Sequence, residues 1–341
     1  MKHLRIRNGT SRGHHGLWLA AAIAVAASAL LVRSKTKSVE HDYVPIGQFL
    51  EVDGVRLHYV VRGHGEPVVL LHGNGSNILD LELSGLLDRA SQGYRVIAFD
   101  RPGFGYSSRP RTRAWTPAAQ ARLLRSALRQ LGVERPIVAG HSMGTQVALS
   151  MALQFPEDVR SLALLSGFYF PSPRFDAVVM SLPAIPIFGT VMRHAVSPWL
   201  GRLLWPLIAR RVFGPSPVPP SFRAYPPWMS LRPLALRAQA ADAAIGIAAA
   251  VQLRNRYKEV TVPVVILAGT DDRYVDTAAN SVRLHGELPN SELTLVPGAG
   301  HMVHHLVIEE VMSAIDAASS SPALPPVRDS REESSAVVEH L

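Results

Sequence analysis

The chain has 341 residues, 47% of them hydrophobic and 18% charged, with a formal net charge of +8. That apolar content supplies a buried core and argues against disorder, and the length suits one large domain or two small ones. The absence of cysteine excludes disulfides, thiolate metal sites and cysteine nucleophiles, while leaving the compartment open.

The first predicted element is residues 17–32, LWLAAAIAVAASALLV, sixteen positions without a charge. Lys2, Arg5, Arg7 and Arg12 precede it, and Arg33, Lys35 and Lys37 follow. A helix of that length is about 24 Å long, against about 30 Å of hydrocarbon. Gly16, the flanking histidines and snorkelling arginines extend it to a marginal span. Residues 1–42 therefore read as a basic N-terminus with a single-pass membrane anchor. A cleaved signal peptide competes, because Ala27-Ser28-Ala29 resembles a cleavage site, although Leu30, Leu31 and Val32 would then lie beyond the cut. Lysine and arginine counts barely separate the two orientations; the usual signal-anchor arrangement would place the body on the exported, periplasmic side.

Next, residues 48–63 alternate apolar and polar around Asp53-Gly54, the pattern of a β-hairpin with a tight turn. Short apolar runs follow at 67–71, 95–99, 136–139, 161–165, 262–268 and 292–296. Helical spacing predicts helices over 79–90, 117–131, 143–155, 277–288 and 303–317. Continuous apolar strands alternating with helices predict a mostly parallel sheet covered on both faces. The rhythm breaks between residues 171 and 259, which hold thirteen of the 26 prolines and Trp199, Trp205 and Trp228. Eleven Lys or Arg there face only Asp176, Asp242 and Glu259, so this insertion carries the whole net charge of +8. Its prolines are expected to limit long regular helices. Residues 43–170 and 260–318 form the core, and 319–341 have the composition of a disordered tail.

Gly140-His141-Ser142-Met143-Gly144 lies between an apolar run and a helical segment. GxSxG alone is a weak signal; at a strand-to-helix turn it becomes a nucleophile elbow, with serine on an exposed, strained corner between glycines that remove clashes. A serine hydroxyl needs an adjacent base and a third group to orient that base. In the chain order serine, acid, histidine, Gly269-Thr270-Asp271-Asp272 follows one strand and Pro297-Gly298-Ala299-Gly300-His301 follows the next. Groups on loops beyond the carboxyl ends of parallel strands converge at one edge of the sheet.

These motifs resemble the α/β-hydrolase superfamily, in its serine-nucleophile, esterase- and lipase-like branch, over residues 43–317. The resemblance implies an α/β-hydrolase fold with a helical cap, here residues 171–259, inserted after the strand 161–165. Its acid stands three residues after the glycine, which selects Asp272 over Asp271, and its Gly-His selects His301 over His304 and His305, read as helix-surface or packing histidines. Leu71-His72-Gly73-Asn74-Gly75 resembles the family's His-Gly oxyanion motif, so the backbone N–H groups of Asn74 and Met143 would form the oxyanion hole. Asp100-Arg101-Pro102-Gly103-Phe104-Gly105 resembles a loop that shapes the site, and His72 and His141 read as shaping the turns.

The expected function is a serine hydrolase cleaving an ester or related acyl bond of an apolar, lipid-like small molecule, with catalytic Ser142, Asp272 and His301. Carbon–carbon hydrolysis, acyl transfer and perhydrolysis on the same triad stay open, as does an inactive membrane-tethered binding protein. No cofactor or metal is implied, since no ligand cluster with suitable spacing appears. The apolar content of the cap suggests an apolar mouth, and its charge suggests contact with anionic headgroups. Nucleic acid is not expected as a partner, because no recognition motif accompanies the arginines.

Overall fold

The computed structural model describes residues 11–171 and 181–321. Its centre is an eight-stranded sheet: β1 (Gln48–Val52), β2 (Val55–Arg62), β3 (Pro67–Leu71), β4 (Arg95–Phe99), β5 (Ile137–His141), β6 (Ser161–Leu165), β7 (Val264–Gly269) and β8 (Ser291–Val296). The order is β1-β2-β4-β3-β5-β6-β7-β8. β1 and β2 form an antiparallel hairpin and β2 meets β4 antiparallel; every other pair is parallel. The hairpin turns at Asp53 and Gly54, both at positive φ (49° and 75°), the backbone that suits a two-residue turn to strand twist.

Helices cover both faces. Val138 packs into the core under α4 (Pro117–Gln130) and α5 (Met143–Gln154), while its neighbours Ile137 and Ala139 face the opposite core under α2 (Ile78–Leu83) and α3 (Leu86–Ser91). A strand buried on both faces reads as a continuous apolar run, hence the runs in the sequence. The helix expected over 79–90 is two helices, broken at Gly85, whose φ of +84° only glycine adopts readily. The helix expected over 303–317 is broken at Val307 (φ −143°), giving a short turn (Val303–Leu306) and a helix extending to Ser320. The tail expected beyond it lies, from residue 322 on, outside the described residues.

Between β6 and β7 the described chain is helical. The expectation that prolines would limit long helices here is overturned by α6 (Ser197–Phe213) and α7 (Pro233–Arg254), of 17 and 22 residues. Pro198 and Pro233 stand at helix N-termini, where the missing N–H has no intrahelical partner and the fixed φ is already helical; only Pro206 lies inside. Some of the basic residues of this segment are engaged within the protein: Arg193 donates to Pro183 O, Arg232 to Glu40, and Arg256 pairs with Glu259.

Residues 11–42 form one helix, α1, whose stretch His15–Asp42 is long and apolar enough to cross a membrane by length and composition. Leu17, Trp18 and Leu19 are exposed, but Val32 and Val39 are buried. Val39 shares an apolar cluster with Phe213 and Met229, and Glu40 pairs with Arg232 at 2.8 Å. The helix is thus joined to the segment between β6 and β7.

Candidate active site

Ser142 joins β5 to α5 with φ 52° and ψ −119°. A non-glycine residue there stores on the order of 1–3 kcal/mol, sustained only where surroundings dictate it. They do: a Cβ at Gly140 would lie 2.7 Å from Gly144 C, and one at Gly144 would lie 2.3 Å from Leu71 O. The two glycines of the motif therefore let the elbow sit against the end of β3. Ser142 N–H donates to Leu165 O at 2.9 Å, fixing the turn to the neighbouring strand.

His301 lies on the loop after β8, and its Nδ1 meets Asp272 Oδ2, on the loop after β7, at 2.7 Å, both side chains buried. The other Asp272 oxygen accepts the backbone N–H groups of Tyr274 and Val275 at 2.7 and 2.8 Å. Asp271 turns away, accepting from Thr270 Oγ1 and Gly298 N. With Nδ1–H directed to the carboxylate, Nε2 is the imidazole nitrogen left for chemistry. Ser142, His301, Gly73, Asn74 and Met143 all line one cavity of about 380 Å³. Leu200, Leu204, Trp205 and Ile208 of α6 form much of its wall.

The loop 72–75 is held by groups that sequence reasoning treated only as shaping elements. His72 Nδ1–H donates to Gly73 O (2.7 Å) and Nε2 accepts from Arg101 N (3.0 Å), so the ring is neutral. Burial, reinforced by the Arg101 charge, pushes its pKa down to about 4. Arg101 donates to the carbonyls of His72 and Gly73 (2.9 and 3.1 Å) and pairs with Asp242 of α7 at 2.7 Å. Asp242 also takes Arg109 at 2.9 Å. Gly73 passes so close that a Cβ there would lie 3.1 Å from Ser142 Cβ.

The reading of His304 and His305 as surface or packing histidines is incomplete. Both are buried and both meet Asp80 of α2 through Nε2, at 3.1 and 2.9 Å. Ser76 Oγ donates to the same carboxylate at 2.6 Å. Burial pushes the Asp80 carboxyl up, but the hydrogen bonds and charges of His304 and His305 outweigh it and hold it well below the usual range. Among the described residues these three could hold a metal ion, with one ligand atom each within 4.8 Å. An acid among Ile78, Leu79 and Leu81 was the available signal, because an apolar helix face buries it and a buried carboxylate needs donors. His141 lies between this cluster and His301: its Nε2–H donates to His301 O at 3.0 Å, and its ring centre is 4.5 Å from that of His304. Burial and the neighbouring histidines hold its pKa well below the ordinary value.

Comparison with known proteins bears on the family and the fold. The family described as alpha/beta hydrolase fold matches residues 66–306. An uncharacterised protein of Mycobacterium tuberculosis is 30% identical over 280 residues, covering 76% of this chain and 77% of its own. A 2-(acetamidomethylene)succinate hydrolase of Mesorhizobium japonicum is 29% identical over 276 residues, 79% of this chain and 94% of the enzyme. Among solved structures, a bacterial membrane phospholipase A superposes with a TM-score of 0.62 at 23% identity, covering 91% of this chain and 99% of that one, a likeness of fold. Family and relatives together support a hydrolase.

Proposed function

We propose that this chain, which belongs to the α/β-hydrolase fold family, is a serine hydrolase cleaving an ester or related acyl bond of an apolar substrate. The observation that carries the reading is Ser142 on a positive-φ elbow in the same cavity as a histidine whose Nδ1 is held by a buried aspartate at 2.7 Å. His301 Nε2 takes the hydroxyl proton as Ser142 Oγ attacks the acyl carbon, and Asp272 stabilises the imidazolium. The backbone N–H groups of Asn74 and Met143 receive the oxyanion; Met143 is the first residue of α5, so its N–H has no intrahelical acceptor. His301 then returns the proton to the leaving alcohol oxygen. Water, deprotonated by the same nitrogen, splits the acyl-enzyme and restores Ser142. The apolar wall from α6 favours an apolar acyl group.

We also read residues 17–32 as a retained membrane anchor. Ser28 Oγ donates to Ala195 O at 2.6 Å and accepts from Trp199 Nε1 at 2.9 Å, so cleavage beside Ala29 would break a packed junction. The catalytic reading is tested with a fluorophosphonate probe on the full chain in detergent. Wild type is expected to label and Ser142→Ala not; an unlabelled wild type, or equal labelling of both, refutes it.

A further inference from the structure

We propose that the turn leading into α6 inserts into the outer part of a lipid leaflet, so that the active-site cavity takes its substrate, a bilayer-resident long-chain ester, directly from the acyl region. This rests on the reading of residues 17–32 as an anchor and goes beyond it. The anchor alone would tether a body standing clear of the membrane; the hydrogen bonds of Ser28 place part of that body within it.

The depth follows from the helix. α1 is continuous from Ser11 to Asp42, and its first charge after the apolar run is Arg33. If Arg33 marks the headgroups, Ser28 lies about 7–8 Å deeper along the axis at about 1.5 Å per residue. Ala195 and Trp199 are bonded to Ser28 and share that depth. Interfacial apolar segments commonly sit about 5–10 Å into the headgroup–acyl boundary. Farther along α1, Val39 belongs to the apolar cluster that holds Phe213. The first turn of α6, at Trp199, therefore lies at the depth of Ser28, and the helix climbs away from the bilayer toward Phe213.

The chemistry of this surface fits a lipid. Ile187 is 86% exposed, Phe188 52% and Leu203 74%, and Val191 and Val196 are exposed beside them. Ile187 also sits at φ +63°, an outlier for a β-branched residue, so the chain accepts strain to present it outward. Exposed apolar side chains gathered on elements next to an apolar helix have a lipid surface as their natural partner. Arg202, exposed on α6, is long enough to snorkel from this level to the phosphates. The inner side of the same elements is the cavity: Met192, Leu200 and Leu204 line it together with Ser142, and Leu200 is also 48% exposed. One layer of apolar side chains thus separates, and at Leu200 joins, the leaflet and the nucleophile's cavity.

The chain has no cysteine, so single cysteines placed in the full-length protein report one position each. Ile187→Cys, Ile23→Cys and Gln130→Cys, each labelled with a polarity-sensitive fluorophore in phosphatidylcholine vesicles, are challenged with lipids carrying a spin label either high on the acyl chain or near its end. Quenching is expected at 187 and 23 and not at 130. Quenching at 23 without quenching at 187 overturns the insertion and leaves the anchor standing; no quenching at 23 overturns the anchor and the insertion with it. In a second experiment, Ile187→Asp is expected to lower hydrolysis of a vesicle-embedded long-chain glycerol ester roughly tenfold or more, from the cost of placing a charge in the leaflet. Hydrolysis of soluble p-nitrophenyl butyrate stays unchanged, since residue 187 lies outside the cavity. Equal losses on both substrates, or none on either, refute the route.

Discussion

His72 gives the structure a measurable pH dependence of stability. Both ring nitrogens have assigned work, Nδ1–H donating to Gly73 O and Nε2 accepting from Arg101 N–H. A second proton on Nε2 would turn that acceptor into a donor facing a donor, in a fully buried site beside a guanidinium. Its pKa accordingly falls from 6.5 to about 4. Between those values the unfolded chain binds a proton that the folded chain refuses. The stability contributed is therefore complete above pH 6.5 and is lost as pH falls toward 4, below which this group adds no slope. At about 1.4 kcal/mol per pH unit the total is about 3 kcal/mol. His141 and His304, also held low by burial, act in the same direction, so wild type alone cannot isolate the contribution of His72. The difference between wild type and His72→Gln can. Guanidinium unfolding of both proteins in detergent from pH 7 to 4.5 should show the variant less stable at pH 7. The gap should then close by about 1.4 kcal/mol per unit below pH 6.5. Parallel profiles, with a constant gap, would refute the neutral, buried assignment of His72.

Asp242→Asn is expected to destabilise the protein by about 3–5 kcal/mol, because it leaves Arg101 and Arg109 buried without their common counter-charge. A urea midpoint matching wild type would show that water reaches the cluster. Gly144→Ala puts a Cβ 2.3 Å from Leu71 O, against backbone that cannot yield cheaply. It should abolish fluorophosphonate labelling of Ser142, and full labelling would show that the elbow tolerates displacement.

The sheet was legible because its cause is local. A strand buried on both faces reads as a nearly continuous apolar run, and 67–71, 95–99 and 161–165 are strands with those bounds. Ser142 was legible because its backbone demands glycine on both sides, and demands of φ and close approach leave a mark in the sequence. Other features depend on contacts between distant residues, and no periodicity records them. Asp80 meets histidines more than 220 positions away, and Arg101 meets Asp242 at a separation of 141. The long helices α6 and α7 were missed for a different reason. Proline was counted as a breaker wherever it occurred, whereas its cost depends on whether its position has an N–H to lose; at the first residue of a helix it has none.

The segment between β6 and β7 does more than roof the cavity, because it supplies contacts to both halves of the candidate machinery. The backbone N–H of His301 is buried and needs an acceptor, and the acceptor is Val212 O, near the end of α6, at 3.0 Å. Gly300 fits there only without a side chain, since a Cβ would lie 2.6 Å from Gly214 O. At the other side of Ser142, Asp242 of α7 holds Arg101, and Arg101 holds the carbonyls of His72 and Gly73. Removing this segment to open the site would therefore orphan the histidine loop's N–H and leave the guanidinium over the 72–75 loop without its carboxylate. α6 and α7 each line the cavity and also fix a loop beside the serine, so cavity shape and loop geometry are coupled through these two helices.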